Sequence, residues 1–113
     1  MSSHITITPI EGPVSIAAGK ISLGESRNAL EMREGGYPPV VYVPRGDIAM
    51  GKLKRTTRAT TCPWKGQASY YSITTPDGVL DNAVWSYEEP KADVAQIAGH
   101  LAFYTDRVTV TRG

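Results

Sequence analysis

The sequence predicts a mainly β domain: antiparallel sheets with two short packing helices. Three observations carry this. β-branched residues alternate with polar ones along most of the chain, Gly, Pro and Asp recur between the runs, and two segments alone show helical spacing. Ile5 and Ile7 alternate with threonines as a first strand, and Val14, Ile16, Ile21 and Leu23 flank Ala18-Gly19, the turn of a hairpin. Pro39-Val40-Val41-Tyr42-Val43-Pro44 is a β-branched run closed by proline at both ends. Ala68 to Thr74 and Val79 to Trp85 flank Thr75-Pro76-Asp77-Gly78, strong turn chemistry for a second hairpin, and Arg107 to Thr111 alternates as a last strand. Ser26 can cap a helix over about Arg27 to Arg33 that Gly35-Gly36 would end. Pro90 opens the second, over Lys91 to His100, where Val94, Ile97, Ala98 and Leu101 recur at helical spacing.

A chain of 113 residues suits one domain with one core, and no linker, repeat or low-complexity tract divides residues 1–113. One cysteine and two histidines, His4 and His100, are too few for a disulfide or a closed zinc site, so no metal or cofactor is expected. The N-terminus lacks the pattern of a signal peptide, and no apolar run approaches the roughly 20 residues that span a bilayer. A cytoplasmic protein without a membrane role is the expectation. A net charge of +1 argues against a general nucleic-acid binder. The charge is uneven, however: no acid lies between Ile48 and Pro76, where Lys52, Lys54, Arg55, Arg58 and Lys65 fall. That segment reads either as an edge strand whose cationic face blunts edge-to-edge pairing, or as a cleft for an anionic small molecule.

Chemistry concentrates in Thr61-Cys62-Pro63-Trp64-Lys65-Gly66-Gln67-Ala68-Ser69-Tyr70-Tyr71, a turn running into a strand. Cys62 is a candidate nucleophile if Lys65 and Arg58 lower its pKa, against the alternative of a small packed hydrophobe. Lys65 is a candidate catalytic or anion-holding group, against that of a solvated turn residue. The hairpin register sets Tyr70 opposite Val84 and Trp85, and Tyr87 falls two residues beyond Trp85 on the same face, so the three rings form either an aromatic wall or a packed core. Arg45 and Asp47, after the proline-bounded strand, either present a fork to a carboxylate or phosphate or serve the turn, Asp47 capping the entry to Ile48-Ala49-Met50, and Tyr42 on that strand is a further candidate pocket residue. Asn82 is either a turn residue or a ligand contact.

The segments Tyr37-Pro38-Pro39, Tyr42-Val43-Pro44-Arg45-Gly46-Asp47-Ile48, the Cys62 turn through Tyr70, Asn82-Ala83-Val84-Trp85-Ser86-Tyr87 and Ile97-Ala98-Gly99-His100-Leu101-Ala102-Phe103-Tyr104 resemble the bacterial family called domain of unknown function 427. The resemblance runs from about Gly19 onward. It implies the β-tent architecture, two antiparallel sheets meeting at an angle, shared with the methionine sulfoxide reductase B group. Many β-tent proteins hold zinc on paired Cys-x-x-Cys motifs that this chain lacks. The family also bears a nucleotidyltransferase-like label. Nucleotidyl transfer usually needs clustered carboxylates for Mg²⁺, and Asp77, Asp81 and Asp93 show no cluster in sequence.

Two functions follow as expectations. One is a pocket for a small anionic metabolite or nucleotide, with Cys62 and Lys65 as catalytic candidates and Tyr42, Arg45, Asp47, Tyr70, Asn82, Trp85 and Tyr87 as ligand contacts. The other is a non-catalytic interaction module in which the same residues are core and turn.

Overall fold

The computed structural model describes residues 4–113 and is built almost entirely of strands. These are β1 (Ile5–Pro9), β2 (Val14–Ala18), β3 (Ile21–Ser26), β4 (Leu30–Glu34), β5 (Val40–Pro44), β6 (Leu53–Cys62), β7 (Gly66–Thr75), β8 (Gly78–Ser86), β9 (His100–Phe103) and β10 (Thr109–Arg112). All pairings are antiparallel. One sheet runs β1-β4-β5-β9-β8-β7-β6 and a smaller one β10-β2-β3. Among the described residues no helix is long and apolar enough to cross a membrane.

Alternation along the central strands divides the core between the two faces of the large sheet. On β5, Val41 and Val43 enter one cluster with Ile16, Leu23, Ile73, Val84 and Leu101, which the small sheet covers. Tyr42 enters the other, with Met32, Tyr70, Tyr87, Val94, Ile97 and Ala102. A fully buried side chain of this size contributes about 1.5–3 kcal/mol relative to its exposed state, so both faces are strongly specified, and a one-residue slip would send each set to the wrong face. Strand β5 also changes partner along its length. Leu30, Glu31 and Met32 pair with Tyr42, Val41 and Val40, whereas on the other side Val43 and Pro44 alone pair with Leu101 and His100. The sheet therefore divides at β5 into a short wing, β1-β4-β5, and a longer wing of five strands.

The two expected helices are corrected. Arg27 to Arg33 is a bend followed by β4, because Leu30-Glu31-Met32-Arg33-Glu34 alternates and Met32 is buried against the aromatic face. A helix of about seven residues has too few turns to recover its nucleation cost, whereas a strand here gains pairing on both edges. Ser26 does act as a local cap, its Oγ accepting from the Asn28 N–H at 3.0 Å. The second segment is a 3-10 stretch, Ala92–Ile97, broken at Val94, and β9 has already begun at His100. Val94 and Ile97 are nevertheless fully buried, so the apolar spacing located the covering segment while mistaking its geometry.

A close approach holds β3 to the segment after β5. Gly24, at φ +151°, forms a single bridge to Ile48, and a Cβ at this position would run into the Asp47 carbonyl oxygen. Gly24→Ala should therefore destabilise the fold by roughly 2–4 kcal/mol, since rigid backbone must move. Urea unfolding checks this, and an unchanged midpoint would contradict the packing described.

Candidate functional site

The turn between β6 and β7 is closed by the pair Cys62↔Gly66, with Gly66 at φ +111°, a conformation that suits glycine. The Lys65 carbonyl accepts from the Lys91 N–H at 2.9 Å, tying the turn to the chain beyond β8. The Lys65 side chain points inward. It is 8% exposed, and its Nζ donates to Glu34 Oε1 at 2.6 Å and lies 5.8 Å from the centre of the Tyr87 ring. Lysine and glutamate enclose one wall of a cavity of about 250 Å³, otherwise lined by Met32, Val40, Tyr42, Tyr70, Trp85, Tyr87 and Tyr104.

The rings form a connected set. Trp85 packs on Tyr104 with centroids 4.6 Å apart and meets Tyr42 edge to face at 6.4 Å. Its indole Nε1 donates to the Tyr42 hydroxyl at 3.3 Å. Such pairs contribute about 0.5–1.5 kcal/mol each beyond area burial. Burial pushes the Tyr42 and Tyr87 phenols well above their ordinary value, so both are neutral hydrogen-bond donors at physiological pH. Tyr70 differs. Burial acts to raise it, but hydrogen bonds with Thr60 (2.9 Å), Tyr104 and Arg58, with the Arg58 guanidinium 4.9 Å above its ring, outweigh that and bring it below the usual phenol value.

Glu34 ends β4 and stands between the cavity and an outer groove of about 840 Å³. Its second oxygen meets His4 Nε2 at 3.4 Å, and the His4 ring packs edge-on against Trp64 at 4.9 Å. Burial acts to raise the Glu34 carboxyl, but Lys65 and His4 together hold it below the usual carboxylate value. The groove continues between the two wings, along Pro38, Pro39 and Val41 on one side and Phe103 and Thr105 on the other, with Tyr37 and Trp64 exposed at its rim.

Of the residues singled out in the sequence, Tyr42, Lys65, Tyr70, Trp85 and Tyr87 line this one cavity, and Tyr70 pairs directly opposite Trp85. The others lie elsewhere. Arg45 donates to the Tyr71 hydroxyl (3.0 Å) and to Glu88 (2.7 Å), so it belongs to a polar cluster with Arg55 and forms no clamp with Lys65. Asp47 accepts from the Ser26 hydroxyl at 2.6 Å, a tie between the end of β3 and the turn after β5. Asn82, at φ 51°, occupies an irregularity in the β7–β8 pairing and accepts from the Thr56 hydroxyl at 2.6 Å. Cys62 is half-buried against the aromatic cluster but is not part of the cavity wall.

Sequence reasoning missed Glu34, Met32 and Tyr104. Glu34 and Met32 were hidden by the helical reading of their segment, which obscured the alternation of Leu30, Met32 and Glu34. His4, just before β1, is held by Glu34 and Trp64. Among the described residues no group of three or more His, Cys, Asp or Glu is placed to hold a metal ion.

The Glu34 carboxyl predicts an acid response. Its folded pKa is depressed below the reference value of 4.5, so the stability it contributes is present above that value and is lost as pH falls through the folded pKa. Glu34→Gln should therefore flatten the fall of unfolding free energy below about pH 4.5. Chemical denaturation across that range measures it, and an unaltered acid limb would show that Glu34 is not stabilised by its partners.

No curated protein matches the chain. A family model described as a domain of unknown function, DUF427, matches residues 6–112. The match takes in nine strands completely and β1 from its second residue, along with every wall of the cavity, and the chain belongs to the DUF427 family.

Proposed function

We propose that this chain binds a small anionic metabolite or nucleotide in the tyrosine-lined cavity, with Lys65 holding the anionic group and Tyr42, Trp85 and Tyr87 enclosing what adjoins it. The observation that carries this reading is the Lys65–Glu34 bond. A lysine is the one basic side chain in the cavity wall among the described residues, and at 2.6 Å it already grips a carboxylate there. Glu34 thus stands where a ligand's anion would sit. An ammonium has three donors, and Glu34 takes one. Glu34 also precedes Gly35-Gly36 and has a second partner in His4 on the groove side, so it can turn outward without losing every contact. With Cys62 outside the wall, the reading is one of binding rather than thiol chemistry.

Thermal-shift measurements against nucleotides, phosphorylated metabolites and carboxylates test it. A ligand at a hundredfold excess over its Kd stabilises the fold by about 2.7 kcal/mol. Lys65→Met, which keeps the side-chain volume, should abolish that gain. Glu34→Gln should tighten binding several-fold, because it removes an internal competitor worth about 1 kcal/mol. If no anion stabilises the protein, or if the gain survives in Lys65→Met, the cluster is core and turn chemistry alone.

A further inference from the structure

The inner cavity and the outer groove share Glu34, Val40, Trp85 and Tyr104, so they adjoin across these side chains, and an outward turn of Glu34 would join them into one path from solvent to Lys65. On the reading of the cavity just given, we infer that the ligand is a monocarboxylate carrying an apolar tail, its head on Lys65 and its tail lying along the groove.

Charge decides the head. Lys65 is the cavity's one cation among the described residues, and Glu34 lies beside it. Arg58 and Arg107 reach the rings of Tyr70 and Tyr104 without entering either wall. A phosphate dianion or a polyphosphate would leave charge desolvated and unpaired, which costs several kcal/mol per group. A carboxylate carries a single charge, and Lys65 matches it once Glu34 turns toward His4. The neutral donors suit it too. Tyr42 accepts from Trp85, so its own proton is available, and burial keeps the Tyr87 phenol protonated.

Shape decides the tail. At about 250 Å³ the inner cavity is smaller than the roughly 300–1,000 Å³ of ordinary ligand sites, whereas the groove beside it, at about 840 Å³, lies well within that range. Pro38, Val41, Phe103 and Val110 make the groove apolar. At its rim Tyr37 and Trp64 are 74% and 49% exposed, so core packing does not account for their rings. A polar head within and an apolar tail outside uses both compartments.

Calorimetric titration of the whole chain with hexanoate, octanoate and decanoate, with the alcohols of the same length, and with AMP and ATP tests the inference. The acids should bind with Kd falling about two- to fourfold per added methylene, the increment expected of a CH₂ leaving water. The alcohols should bind at least about tenfold more weakly, as expected where an anion is held by a charged partner. Lys65→Met should erase the difference between acid and alcohol, and Trp64→Ala should flatten the dependence on chain length. Tighter binding of AMP or ATP than of decanoate, or a flat chain-length series, would overturn the tail while Lys65-dependent anion binding upheld the cavity. Absence of Lys65-dependent binding by every probe would overturn both.

Discussion

The ion pair between Lys65 and Glu34 joins parts of the sheet that pairing does not bring together. Glu34 belongs to β4 in the short wing, and Lys65 to the turn at the far edge of the long one, with β5, β9 and β8 between them in the strand order. With side chains 11% and 20% exposed, the two charges lie mostly out of water, where each would be costly alone. The same bond stands at the boundary of the inner cavity and the groove, and through His4 and Trp64 it extends to the start of β1 and the rim. On the binding proposed above, a contact that holds the wings together is also the contact a ligand's anion would have to replace.

Two adjacent tyrosines show how the sheet separates its polar chemistry. Tyr70 points to the cavity and Tyr71 to the opposite face, where its hydroxyl donates to Glu88 at 2.7 Å alongside Arg45 and Arg55. The Tyr71 hydrogen bond, then the two guanidiniums, hold the Glu88 carboxyl below its usual range despite partial burial. Two of the cations that cluster between Ile48 and Pro76 are thereby engaged on the sheet itself, Arg55 with Glu88 and Ser69, and Arg58 over Tyr70. β6 is at the edge of the large sheet, and its exposed cationic side chains fit the protection of an edge strand. Lys65 alone of that run turns into the cavity.

The legible parts of the fold were those governed by short-range rules. The two hairpins at Ala18-Gly19 and Pro76-Asp77-Gly78, the strand bounded by Pro39 and Pro44, and the opposition of Tyr70 to Trp85 followed from turn chemistry and the two-residue period. Tyr42, Tyr70 and Trp85 converge on one cavity because they sit on strands whose faces that period sets, with Lys65 joining from the β6–β7 turn and Tyr87 from just past β8. Arg45, Asp47 and Asn82 went elsewhere, since each had a polar partner 21 to 43 residues away that no local pattern announces.

Alternation, proline and glycine act over a few residues, so the order of residues alone specifies a β domain, the place of its main turns, and the crowding of thiol, lysine and rings at one hairpin end. The tertiary structure decided that Leu30 to Glu34 is a strand, that Lys65 is buried, and that Glu34 is its partner. Those outcomes depend on which strands neighbour one another. A segment of ambiguous propensity adopts the conformation that its partners' open edges and apolar faces reward, and a lysine goes inward where a distant carboxylate meets it.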